Sequence, residues 1–292
     1  MWALNNVLDE IVVTKYVKNE YRYSYWFALG RVPITVFLFL VFGISIPSSS
    51  IVLMTILSGF VNALPYFLYY RVLQSVEAYS VALVYVALHP IFTYIISNVF
   101  LHDILAVNEI IGFFVLLIAG VFSVLRFDKG ISVKKELLLI VPAAVVWAVG
   151  DVMFDYVVSY YTNPIDAISW ISLGGSFVLL LCWFVPFLRR KCTPDVEKVP
   201  RAGYAIFFVT IISIFISYYA FLSALKIGDV ALTSSLASSQ PLIAFLIALF
   251  FASAFGGRLI SKKDPRIFSF ATLAPKFLAL VCAALGVYLI SL

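Results

Sequence analysis

The chain has 292 residues, of which 63% are hydrophobic and 12% charged, with a formal net charge of +5. A soluble globular domain carries about 25% charged residues, so this composition excludes one and points to burial in lipid. The basic residues gather at the ends of apolar stretches, which is not a nucleic-acid footprint.

Ten apolar stretches approach the ~20 residues that cross ~30 Å of hydrocarbon. In chain order they cover 1–17, 24–44, 51–73, 80–101, 108–125, 137–161, 167–188, 203–224, 230–253 and 271–291. Period-2 alternation is absent, which disfavours a membrane barrel and leaves helices that satisfy their own backbone. The expected fold is an all-α integral membrane protein of ten transmembrane helices. No basic segment precedes the first stretch, so it does not resemble a cleaved signal peptide. Only Met1 precedes Trp2, so helix 1 is either unusually short or belongs to a chain whose start lies upstream. Cys182, Cys192 and Cys282 lack metal-like spacing and imply neither a disulfide framework nor a zinc site.

The chain is written twice. Trp2-Ala3 and Val7 return as Trp147-Ala148 and Val152; Asn19, Trp26 and Leu29-Gly30 return as Asn163, Trp170 and Leu173-Gly174. Pro90 is matched by Pro241, and Ala-Gly-Val-Phe at 119–122 by Leu-Gly-Val-Tyr at 285–288. Two five-helix halves follow, residues 1–127 and 128–292. A duplicated apolar half is a common way to build a membrane transporter around a central site. The second half carries an insertion, placed at Ser253 to Asp264.

Loops 1–2, 5–6, 7–8 and 9–10 hold sixteen of the 20 Lys and Arg residues, and the opposite side of a ten-helix bundle holds only Lys226. The positive-inside rule puts these basic loops in the cytoplasm and both termini outside, for a multi-pass protein of the plasma membrane. Binding of anionic headgroups is the alternative use of the same residues.

Ionisable groups within the spans are functional candidates by default. Helix 1 carries Asn6 and Glu10, and helix 6 carries Asp151 and Asp155 at the equivalent positions. The i, i+4 spacing puts each pair on one helix face. A buried carboxylic acid serves either as a proton carrier or as a seat for a cationic group on a substrate. Arg31, inside helix 2 opposite Gly175 in the duplication, needs a partner, and Glu10 or Asp9 is the expected one. Helix 9 offers Thr233, Ser234, Ser235, Ser238 and Gln240 before Pro241, and helix 4 offers His89 before Pro90. Each proline frees the carbonyl four residues earlier, so paired helix breaks at Pro90 and Pro241 are expected beside a midplane site. Trp26 and Trp170, with Trp2 and Trp147, are candidate aromatic walls.

Trp2-Ala3…Asn5 and Trp147-Ala148, Leu29-Gly30-Arg31, Tyr69-Tyr70-Arg71-Val72-Leu73 leading to His89-Pro90, and Ala224-Leu225-Lys226 leading to Gln240-Pro241 together resemble the drug/metabolite transporter superfamily, in its ten-helix EamA-type branch. The resemblance implies two inverted five-helix repeats, with helices 1–4 and 6–9 around a substrate cavity and helices 5 and 10 bracing it. It also implies export or exchange of small metabolites by alternating access, and both termini in the cytoplasm, against the charge count.

The expected function is therefore secondary active transport of a small molecule, with acids on helices 1 and 6 binding a proton or a cationic group. No Walker-type loop, cofactor site or metal site is read in the sequence. The competing reading is an intramembrane magnesium-dependent prenyltransferase using Asp151-x-x-x-Asp155. Substrate, coupling ion, direction and the choice between monomer and homodimer stay open.

Overall fold

The computed structural model describes residues 2–17, 19–75, 78–124, 138–192, 200–237, 243 and 270–290. Among them the chain is helical, with no strand. The helices are α1 (Trp2–Ile11), running into a π-helical turn (Val12–Val17), α2 (Glu20–Phe42), α3 (Ser49–Ala63), α4 (Tyr66–Ser75), α5 (Ala78–Phe100) and α6 (Val107–Val124). After them come α7 (Ile140–Val158), α8 (Pro164–Ser176), α9 (Val178–Phe184), α10 (Pro186–Cys192), α11 (Arg201–Leu225), α12 (Val230–Ala237) and α13 (Phe270–Ile290). Among the described residues, five spans are long and apolar enough to cross a membrane: Glu20–Phe42, Ser49–Gln74, Ile140–Val158, Pro164–Phe184 and Arg201–Leu225.

The side chains are distributed inside out. Val36, Phe37 and Leu40 of α2, Phe208 and Ile216 of α11 and Phe277 and Val281 of α13 are exposed, whereas Asn5, Asp9, Arg31, Asn62, His89 and Asp151 are buried. That is the arrangement a hydrocarbon solvent selects, because polar groups gain partners only inside the protein. Buried hydroxyls turn back onto their own helix, as in Thr93 to the His89 carbonyl (2.9 Å) and Ser217 to that of Ser213 (2.7 Å).

The duplication is visible in local structure. Asn19 caps α2 by accepting from the Arg22 amide, and its counterpart Asn163 caps α8 by accepting from that of Ile165, each at 3.0 Å. It is visible in packing too. Helices α2 and α8, α5 and α12, and α6 and α13 are duplicated counterparts, and each packs on its own counterpart. Glycines permit the closest approaches. A Cβ on Gly59 of α3 would lie 2.0 Å from the Ile171 carbonyl oxygen, and one on Gly174 of α8 would lie 1.8 Å from that of Ile56.

Of the two expected breaks, Pro241 lies outside the described residues and Pro90 lies within α5. α5 runs on through Pro90 without ending, and Pro33 and Pro275 are likewise inside α2 and α13. The helical stretches stop instead at Leu64, before Pro65, and at Val185, which is extended (φ −90°, ψ 110°) before Pro186. Pro241, Ser238, Gln240, the segment 253–264 and most of the basic loop residues lie outside the described residues.

Candidate functional site

Polar groups from both halves meet in one chain of contacts. Arg31 Nη2 donates to the Tyr218 hydroxyl (3.4 Å), which donates to Asn62 Oδ1 (2.8 Å). Asn62 Nδ2 donates to Asp151 Oδ1 (3.3 Å), and Asp151 Oδ2 lies 3.3 Å from His89 Nε2. The last contact is at ion-pair distance but is not aligned as a hydrogen bond. The five residues come from α2, α11, α3, α7 and α5, so the duplicated halves are linked through side chains.

Their depth is set by the helices. Arg31 is the central residue of the 23-residue α2, and His89 the central residue of the 23-residue α5. At 1.5 Å per residue each lies about 17 Å from either end of its helix. Trp147 fixes Asn62 from the other side, donating its Nε1 to the Asn62 carbonyl (3.0 Å). Around the Trp147 ring stand Tyr66, Tyr69 and Tyr85, with centroids 5.2 to 5.6 Å away. Tyr85 stacks on the His89 ring at 4.7 Å.

A small cavity opens beside this chain, lined by Trp2, Tyr85, His89, Pro90, Asp151, Phe221, Ser234 and Ala237. Its volume is about 10 Å³, room for one water-sized sphere.

Among the expected residues, Asp151, His89 and Arg31 come together here, and Pro90 joins them on the cavity wall. Asn6 stands next to them, accepting from the Tyr69 hydroxyl (3.4 Å). Asp155 lies one turn along α7, half-buried, in the field of Asp103 and Asp229 instead. The tryptophans divide. Trp2 lines the cavity, but Trp26 stacks on Tyr204 (5.3 Å) and Trp170 packs edge-on to Phe39 (4.9 Å), so neither forms a wall of it. The side chain of Glu10 is not among those described, and Ser238 and Gln240 lie outside the described residues altogether.

The expected pairing of Arg31 with Asp9 does not form. Asp9 accepts instead from the Tyr23 hydroxyl, and Arg31 turns to Tyr218 and three aromatic faces. Asn62 and Tyr218 were not singled out in the sequence. Both are neutral, and nothing in the duplication marks them as polar counterparts of each other.

At the bundle end, Asp103 in the α5–α6 loop and Asp229 before α12 both have pKa values raised, first by burial and then by a neighbouring acid, Asp229 for the former and Glu109 for the latter. Lys226, nearby in sequence, donates to the Tyr161 and Thr162 carbonyls (2.8 and 2.7 Å).

The EamA-like transporter family matches the chain twice, over residues 1–126 and again over 134–259. The chain therefore belongs to the EamA-like transporter family: it is a multi-pass membrane protein and a transporter of small molecules. A crystal structure of a protein 18% identical to it aligns over 99% of this chain and 96% of its own, with a TM-score of 0.66, a likeness that bears on the fold alone. A search of curated proteins finds no match.

Proposed function

We propose that the protein is a secondary active transporter in which two inverted five-helix repeats, residues 1–127 and 128–292, alternate access to the cavity beside Asp151 and His89. The observation that carries this reading is the Asp151–His89 contact at 3.3 Å, which joins the halves on the wall of that cavity. The contact sets an acid and an imidazole, two side-chain types able to carry a proton, side by side on one wall, with Asp151 held by Asn62. Binding or losing a proton there changes the charge of the wall that a solute meets, which is what coupling requires. Asp155, nearer the end of the span, serves as a relay between the Asp103–Asp229 end and the pair. The basic loops face the cytoplasm of a plasma-membrane protein on the charge argument.

The magnesium-dependent enzyme reading lacks support. Its two aspartates have separate surroundings, and no group of three metal-binding side chains gathers among the described residues.

The test uses proteoliposomes and a solute found by thermal-shift screening of amino acids, amines, nucleosides and sugars. Asp151→Asn and His89→Gln are expected to abolish accumulation driven by a pH gradient while sparing solute exchange in Asp151→Asn. Undiminished gradient-driven accumulation in both variants defeats the proposed role.

A further inference from the structure

The charge balance of the membrane interior does not close on Arg31. Its side chain is 1% exposed, yet among the described residues Nε and Nη1 have no hydrogen-bond partner and Nη2 meets only a neutral hydroxyl at 3.4 Å. The buried acids of the interior whose side chains are described are engaged elsewhere: Asp9 with Tyr23, and Asp151 with Asn62 and His89. What surrounds the guanidinium is aromatic, with Phe27, Tyr218 and Tyr66 at 4.7, 5.6 and 6.0 Å from Cζ. Ring faces attract a cation but do not neutralise it, and an uncompensated buried charge is costly.

The duplication shows how the group is accommodated. A Cβ on Gly175, the equivalent of Arg31, would lie 2.1 Å from Arg31 Nη1. Glycine at this position lets the guanidinium pack directly against α8. A buried charge with no counter-charge among the described residues is a site for an incoming one once the helices part. A lipid headgroup is excluded as its source by depth, because Arg31 is the midpoint of its span.

We propose that Arg31 receives an anionic group, a carboxylate, from the transported solute when α2 and α8 part. The inference rests on the transporter reading. The planar end-on fork of Nη1 and Nη2 matches the two oxygens of one carboxylate, with the second Nη2 hydrogen left for Tyr218, and a single negative charge balances the single guanidinium. The rings of Phe27, Tyr66 and Tyr218 then border the apolar body of the solute. At the other end of the hydrogen-bond chain, Tyr218 and Asn62 connect the occupied anion site to Asp151, so the two ends report on each other.

Equilibrium binding tests this without requiring transport. The full-length protein in detergent is titrated with acetate, propionate, benzoate and phenylacetate, and with the four corresponding amides, and Tm is followed. The wild type is expected to show a saturable rise in Tm with at least one carboxylate and none with its amide. Arg31→Gln should lose that rise, and Arg31→Lys, which keeps the charge but not the fork, should bind about tenfold more weakly. The Lys variant carries the comparison if the Gln variant does not fold. A wild type that responds to no carboxylate, or equally to acid and amide, overturns the inference, as does a Gln variant that retains the preference. Carboxylate binding without any solute flux would leave the anion site at Arg31 standing and remove the transporter mechanism instead.

Discussion

Arg31 and Gly175 occupy equivalent places in the two halves and meet across the packing of α2 on α8. Gly175→Ala puts a methyl group 2.1 Å from Nη1, so the guanidinium must move. Overpacking of this kind costs about 1–3 kcal/mol, and a fall in Tm is expected. Combined with Arg31→Gln, the second change should cost much less than it does alone, because the clashing atom has gone. At the bundle end the sign is opposite. The folded state raises the Asp103 pKa above its ordinary 3.8, so it holds a proton that the unfolded chain releases. Stability from this group is full below 3.8 and is lost as pH rises through the raised value. Asp103→Asn should therefore raise Tm at neutral pH, by an amount that shrinks to nothing as pH falls towards 3.8; a gain unchanged across the titration contradicts this. The sequence marked Arg31, His89 and Asp151 because charge in an apolar stretch is conspicuous. It was silent on Asn62 and Tyr218, since an amide or a phenol among many is informative only once its neighbours are known.

The duplication repeats the chemistry of two helix starts, although the apolar stretches 24–44 and 167–188 begin later than α2 and α8 themselves. Asn19 and Asn163 each supply the side-chain oxygen that an exposed helix N-terminus lacks. Asn163→Ala should cost about 1 kcal/mol, read from the thermal transition, and Asn163→Asp very little. Helix interruptions were less legible. A proline deletes one backbone hydrogen bond wherever it falls, but neighbouring helices decide whether the helix bends, continues or stops. α5 continues past Pro90 between α7 and α12, whereas the chain stops before Pro65 and Pro186. Close packing was also hidden in composition. Gly59 and Gly174 let α3 and α8 approach to backbone contact, so Gly174→Val should separate them and lower Tm more than Gly43→Ala, whose site is open though strained (φ +57°).

Across the whole molecule, an apolar exterior and a polar interior place the shared site where only protein groups can solvate charge. The existence of a repeat was legible, because two ordered copies of one pattern in an apolar chain rarely arise except from a duplicated fold. The cavity was not, since its walls come from α1, α5, α7, α11 and α12, which are distant in sequence. Ser234 of α12 lines it and provides a reporter of access. With Cys182, Cys192 and Cys282 replaced by Ser, a single Ser234→Cys is labelled in sealed vesicles by a membrane-impermeant maleimide added to one face or the other. The alternating mechanism predicts labelling from each face under different conditions of pH or solute, and a shift in the ratio of the two when Asp151→Asn is added. A thiol that reacts from one face only under every condition, with a ratio indifferent to Asp151, contradicts it.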